Sequence, residues 1–198
     1  MKPAKGARKE YLRAFEQIVS RIAQSVKGAR TSVFPIRMYV AGGAALYLVT
    51  GARVSEDIDA VFSKRLVLNE DIQVSYRDAD GRARLLYLDR NYNDTLGLLH
   101  ENAYKDSRPV AIPGIDNRII EVRVLAPVDL AVTTLARFSA QDRADIELMA
   151  KEGLIGSASV RKRANEALVG YVGDLDAARS SFEIACRLID SIRAPKAR

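Results

Sequence analysis

The chain has 198 residues, of which 48% are hydrophobic and 28% charged, with a net charge of +6 and only one cysteine. A single cysteine excludes an internal disulfide and a cysteine-based zinc site, and no apolar run approaches the roughly 18 residues that cross a bilayer. The positive balance favours polyanionic partners such as RNA or nucleotides without specifying one.

The basic stretch MKPAKGARKEYLR is followed by no apolar signal segment, so a soluble, cytoplasmic protein with no membrane partner is expected. The run EYLRAFEQIVSRIAQSV places apolar residues at 11, 12, 15, 18, 19, 22 and 26, the spacing of a helix with one buried face. After GARTSVFP, residues 36–41 read as a strand, GGAALYLVTG as a short helix with glycine at both ends, and DIDAVF as the next strand. DIQVSYR and RARLLYLD flank DADG, which predicts a β-hairpin. NYNDTLGLLHENAY predicts a helix, started near Asn93 or Asp94. RPVAIPG and RIIEVRVLAP predict strands or a second hairpin. From Pro127 the pattern is helical: PVDLAVTTLARF, SAQDRADIELMAKEG, SASVRKRANEALVGYVG and DLDAARSSFEIACRLIDSIR predict four helices. The expected fold class is α+β: a small mixed β-sheet core with flanking helices over 1–126, and a helical part over 127–198 packed on it.

Asp57 and Asp59 are the unusual feature of this pattern, because they sit in an otherwise apolar strand. Alternation puts both on one face, with Cα atoms about 6.5–7 Å apart. Two carboxylates this close repel, and a hard divalent cation, Mg²⁺ or Mn²⁺, relieves that by taking their oxygens as ligands. A D-x-D on a strand is more often two solvated residues. Here, however, Gly42 and Gly43 close one strand and open a helix, a place where backbone N–H groups and the helix dipole suit phosphate. A metal clamp and a phosphate cradle would then stand on consecutive elements.

These residues resemble the signature of the nucleotidyltransferase superfamily related to DNA polymerase β. Ala41-Gly42-Gly43 is followed by thirteen residues and then Asp57-Ile58-Asp59-Ala60, a spacing at the long end of the family pattern. TGARVSEDID resembles the T-G-x-R-x-T-x-D-I-D of the AbiEii-like branch, and VLAPVDLAVTTLARFSAQDRADI resembles that branch's downstream block. The resemblance implies a metal-dependent enzyme that moves a nucleoside monophosphate from an NTP to an acceptor hydroxyl. It implies a toxin of a toxin–antitoxin pair, with a cognate antitoxin as a protein partner and tRNA or another RNA as the expected acceptor. A protein hydroxyl is the competing acceptor, and a weakly active, nucleotide-binding or antitoxin-like module is the competing function. A fortuitous motif in a structural αβ protein is a third possibility.

The resemblance also implies a third carboxylate from a neighbouring strand, a metal ligand and general base. Asp89, ending RARLLYLD, is the preferred candidate, and Glu121 in RIIEVRV is the reserve. Arg53 and Ser55 are expected to steady the triphosphate or the Asp57 strand. Thr134 stands where the family pattern has a lysine near the triphosphate; Arg137 or Arg143 could supply that charge. Asp145, with Asp142 on the same helical face, is expected to bear on nucleotide binding, and Asp129 to cap the helix beginning at Pro127. His100, Tyr92, Tyr104 and Cys186 read as structural. Arg161, Lys162 and Arg163 read as a solvated face, and with Lys2, Lys5, Arg8 and Lys9 they are candidate phosphate contacts if RNA is bound.

Overall fold

The computed structural model describes residues 8–26, 28, 30–68, 71–92 and 97–193. The expected α+β class holds: a six-stranded mixed sheet is accompanied by helices, and the C-terminal part is helical. In chain order the elements are α1 (Lys9–Ser25), a 3-10 turn (Thr31–Val33), β1 (Ile36–Val40), α2 (Gly42–Thr50), β2 (Asp57–Phe62), β3 (Gln73–Arg77), β4 (Ala83–Asp89) and α3 (Ala103–Asp106). They continue with β5 (Arg108–Pro109), β6 (Ile120–Val124), α4 (Pro127–Thr133), α5 (Ala140–Lys151), α6 (Ser157–Leu168) and α7 (Leu175–Arg193). The chain divides into two compact units: a sheet unit, from the described parts of 8–92 and 107–125, and a helical unit, from 97–106 and 126–193.

In the sheet unit the strand order is β3-β4-β2-β1-β6-β5. β1 runs parallel to β6 and antiparallel to β2, while β2 runs parallel to β4. Period-two alternation then decides the two faces. Ile36, Met38, Val40, Ile58, Ala60, Val74, Leu86, Leu88, Ile120, Val122 and Val124 are all buried. Against this apolar layer α1 packs on β3 and β4, and α2 packs on β2. α1 contributes Tyr11, Phe15, Ile18 and Ile22, the face its periodicity marked out. The opposite face carries Asp57, Asp59 and Asp89, all part-exposed, and the exposed Gln73, Ser75, Leu85 and Tyr87.

The helix expected over 91–104 does not form in its described part. Residues 97–102 are non-helical, and only Ala103–Asp106 make a short helix. Burial there alternates, with Leu98 and His100 buried and their neighbours not, so an extended segment buries more than a helical turn would. Asn93 and Asp94, expected at that helix start, lie outside the described residues, as do Lys2 and Lys5.

In the helical unit, α4 packs on α5 and α6, and α7 packs on α5 and α6. Ser139 and Asp142 form a capping box at the start of α5: the Ser139 hydroxyl accepts from Asp142 N at 3.2 Å, and Asp142 Oδ2 accepts from Ser139 N at 2.7 Å. Cys186 is buried, as its place on the apolar side of the last helix predicts.

Candidate functional site

The site begins at the end of β1. The chain leaves the sheet at Ala41 and enters α2 through Gly42, whose φ of 55° is a conformation glycine adopts without strain. A Cβ on Gly42 would overlap Asp59 Oδ2 and lie 3.2 Å from Asp59 Cγ. One on Gly43 would meet the Ser55 Oγ at 2.8 Å and the Arg53 Nη2 at 3.0 Å. Both glycines are thus required by close approach, and part of the space they free is taken by the chain's own Asp59, Ser55 and Arg53. The first N–H groups of α2 have no partner inside the helix, as at any helix start.

Asp57 opens β2, and Asp59 follows on the same side. The buried Ser55 hydroxyl donates to Asp57 Oδ1, which fixes that carboxylate relative to the Arg53–Ser55 approach. Parallel pairing puts Asp59 directly beside Asp89 and Asp57 directly beside Tyr87. Neighbouring strands lie about 4.8 Å apart, so three carboxylates share one small area of the sheet. Asp89 Oδ1 accepts from Asn91 N at 2.8 Å. The field of these acids is visible on Tyr87: the Asp57 charge first, then burial, then Asp89, Glu56 and Asp59, push its phenol above the ordinary tyrosine value.

Hard carboxylate oxygens are the right donors for Mg²⁺, and the strand register places them side by side. As they stand, Asp57 and Asp89 accept from protein donors and Asp59 lies against Gly42, and among the described residues no group of three or more His, Cys, Asp or Glu side chains is drawn together as a metal ligand set. The donor set therefore fits in kind and in backbone position, while its side chains are arranged around Ser55, Asn91 and Gly42.

Glu121 is not brought to this cluster. It pairs in register with Arg37, whereas Asp59 lies level with Ala41, four residues further along β1 and about 13 Å away along the strand. Its oxygens accept from Arg37 Nε at 3.1 Å and from Arg123 Nη1 at 3.0 Å. Asp89, not Glu121, is the acid beside the pair.

The other expected site residues lie in the helical unit. Arg137 donates to Asp142 through Nη2 at 2.6 Å and Nε at 3.0 Å. Burial alone would raise the Asp142 carboxyl, but hydrogen bonds from Arg137 and Ser139 outweigh it and hold the group below its ordinary value. Asp145 accepts from Gln141 at 2.8 Å, and Thr134 ends α4 with its hydroxyl donating to Ala131 O at 2.8 Å. Arg143 lies over the Phe138 ring, 4.8 Å from its centre.

Two expectations need correction here. Asp129 does not cap α4, and Arg163 does not lie on a solvated face. The start of α4 at Ala126 has no side-chain cap, and Asp129 is buried against Arg163, with Oδ1 3.0 Å from Nε and Oδ2 accepting from Nη2 at 3.3 Å. Burial pushes the Asp129 carboxyl up, with Arg163 opposing it. Arg163 also donates to Asp106, and its Nη1 lies 2.6 Å from His100 Nδ1. That ring nitrogen also accepts from Asn102 N, so its proton sits on Nε2, facing Glu166 at 3.2 Å. A half-buried arginine takes from protein acceptors the partners that water supplies to a solvated one. Arg161 is paired across to Glu183 at 2.7 Å. A cavity of about 700 Å³ in this unit is lined by His100, Asn102, Arg163, Glu166 and Tyr171 among others. Its arginine and histidine are committed to each other and to neighbouring acids, so they serve the fold. No helix among the described residues is long and apolar enough to cross a membrane.

Tyr87 was missed by sequence reasoning. Its signal was present, an aromatic two residues before a candidate acid on an alternating strand, but only the register beside Asp57 gives it a place in the site.

A family model described as "Nucleotidyltransferase of unknown function (DUF6036)" matches residues 14–185 of the chain. No curated protein and no solved structure matches it.

Proposed function

The chain belongs to the DUF6036 family of nucleotidyltransferases, and on that premise we propose that it moves a nucleoside monophosphate from an NTP to an acceptor hydroxyl, using Asp57, Asp59 and Asp89. The observation that carries this reading is the register of Asp59 with Asp89 beside the Gly42–Gly43 turn. Three acids and a glycine turn at a helix start lie close together on one sheet.

In this reading the triphosphate lies at the start of α2, where free N–H groups and the helix dipole favour it. Gly42 and Gly43 allow close approach, and Arg53 adds a guanidinium at the same turn. A Mg²⁺ or Mn²⁺ ion held by Asp57 and Asp59, with Asp89, would supply neutralisation of phosphate charge. Ser55 holds Asp57 in place. Asp89 accepts the proton of the acceptor hydroxyl as its oxygen bonds to the α-phosphorus, the bond to the β-phosphate oxygen breaks, and pyrophosphate leaves. Positioning and preset charge supply the rate enhancement.

For the acceptor we favour RNA, tRNA above all, because the chain carries a net charge of +6. The resemblance of TGARVSEDID to the AbiEii-like branch supports a toxin of a toxin–antitoxin pair. The test is incubation with Mg²⁺, each α-labelled NTP and total tRNA. Label on RNA that disappears in Asp57→Ala supports the reading. Label on protein alone would replace the acceptor, and no label on any acceptor would remove the enzyme.

A further inference from the structure

The open face of the sheet is polar at the carboxylates and apolar just beside them. Tyr87 and Leu85 each retain 38% exposure on a strand whose inward residues, Leu86 and Leu88, already supply the packing. Their cross-strand neighbours on β3 are Gln73 and Ser75, both exposed. An aromatic ring left half-open between polar neighbours is not explained by the core.

Its position along the sheet gives it a side. The glycine turn lies on the β1 flank of the Asp57–Asp59 strand, and β4 lies on the other flank. Tyr87 is beside Asp57 and two residues before Asp89, on the same face as both. If the triphosphate occupies the glycine turn and Asp89 receives the acceptor's proton, the acceptor approaches over β4. There it meets the Tyr87 ring first, with Leu85 extending the surface.

We propose that Tyr87 is a positioning residue for the acceptor, on which an unpaired base of single-stranded RNA stacks to bring its hydroxyl to Asp89. The proposal rests on the transferase reading for the direction of approach. Every base has a π-face, so a single open ring accepts RNA ends of any sequence. A base in a duplex is already stacked and cannot use it. Tyrosine offers this surface with two side-chain torsions to fix, a small ordering cost. Leu85 widens the platform without adding charge beside the phosphates.

The chain contains no tryptophan, so Tyr87→Trp places a lone fluorophore at this position. The variant is titrated with a single-stranded RNA of about ten nucleotides, the same RNA as a duplex, and Mg²⁺–ATP alone. Saturable quenching by the single strand, with little from the duplex or from Mg²⁺–ATP, is expected. In parallel, Tyr87→Ala should weaken binding of the labelled single strand about tenfold, the contribution of one stacked base, and Tyr87→Phe should leave it unchanged. Quenching by Mg²⁺–ATP but not by RNA would assign the ring to the incoming nucleotide and overturn the proposal. Equal RNA affinity in all variants, with no quenching, would overturn it too and turn attention to a protein acceptor. None of these readouts needs turnover. Intact quenching with no label transfer would therefore sink the transferase reading and overturn the positioning role with it, leaving Tyr87 only as an RNA-stacking surface, and label transfer to RNA without quenching would sink this inference alone.

Discussion

Two sets of acids, one in each unit, are held in opposite ways, although Asp71, Asp78 and Asp116 of the sheet unit are also paired with arginines. In the helical unit, Asp129, Asp106 and Asp142 are each joined to an arginine, and Asp129 and Asp142 are both 1% exposed. In the sheet unit, Asp57 and Asp89 accept from a serine hydroxyl and a backbone N–H, and with Asp59 they stay part-exposed on one face. Glu121 lies between the two habits: it is on the sheet face, but Arg37 and Arg123 hold it. Charges neutralised inside the protein hold its shape. Like charges gathered at an accessible edge raise the energy of the free protein and lower it only when something positive arrives. The same residue type is thus ion-paired and mostly buried in one set and part-exposed in the other, and each habit makes its own prediction.

The sharpest break in the comparison is activity without stability. Asp57→Asn or Asp59→Asn should lower label transfer by about a thousandfold or more, while the melting temperature holds or rises as like-charge repulsion is relieved. Glu121→Gln should do the reverse, leaving transfer within the same order of magnitude. A large activity loss in Glu121→Gln would restore it as the third carboxylate.

Stability without activity belongs to the helical unit. Arg163→Met should cost about 3–5 kcal/mol in denaturant unfolding, because it leaves Asp129 buried and uncompensated. Adding Asp129→Asn should recover much of that loss. Arg37→Met, at an exposed pair, should cost only about 0–1 kcal/mol. If the two arginine variants behave alike, the buried network does not hold the unit together.

Glycine separates the two habits again. Gly42→Ala combines a left-handed φ with overlap on Asp59, so it should lose about 2 kcal/mol or more and transfer with it. Gly81→Ala has a φ of 76° but open space around the added carbon. It should cost about 1 kcal/mol and leave transfer intact.

The smallest effect is the acid dependence of Asp142. Its folded carboxyl lies below the ordinary value, so its stabilising effect is fully present above the unfolded pKa. That effect is lost as pH falls through the folded one, below about pH 4. Asp142→Asn should lose about 1 kcal/mol at neutral pH and flatten that part of the stability curve. An unchanged acid arm would mean that the capping box and the Arg137 pair do not outweigh burial.

Much of this is legible in the sequence, because period matters more than identity. The alternation in DIDAVF and RARLLYLD, and the helical spacing of the first and last segments, each named the face that is buried. Gly42 and Gly43 were legible as a close approach, but not which atoms approach; Asp59 and Ser55 sit far downstream of them in the chain. The choice of Asp89 over Glu121 needed strand order, since both acids sit on alternating strands and only pairing tells which is adjacent. The segment 97–102 was misread because its leucines suit either period, and tertiary burial selected the extended form. Arg163 was misread because a half-buried, paired arginine and a solvated one look alike until its acids, 57 and 34 residues away, are found beside it.

In the proposed function, Asp57, Asp59 and Asp89 form a site for a metal-bound nucleotide. Calorimetric titration of the protein with Mg²⁺ and a non-transferable α,β-methylene NTP tests it most directly. Saturable, Mg²⁺-dependent binding is expected, weakened at least about tenfold in Asp59→Asn and unchanged in Glu121→Gln. Binding of equal strength in the wild type and in Asp59→Asn, or binding indifferent to Mg²⁺, would contradict it.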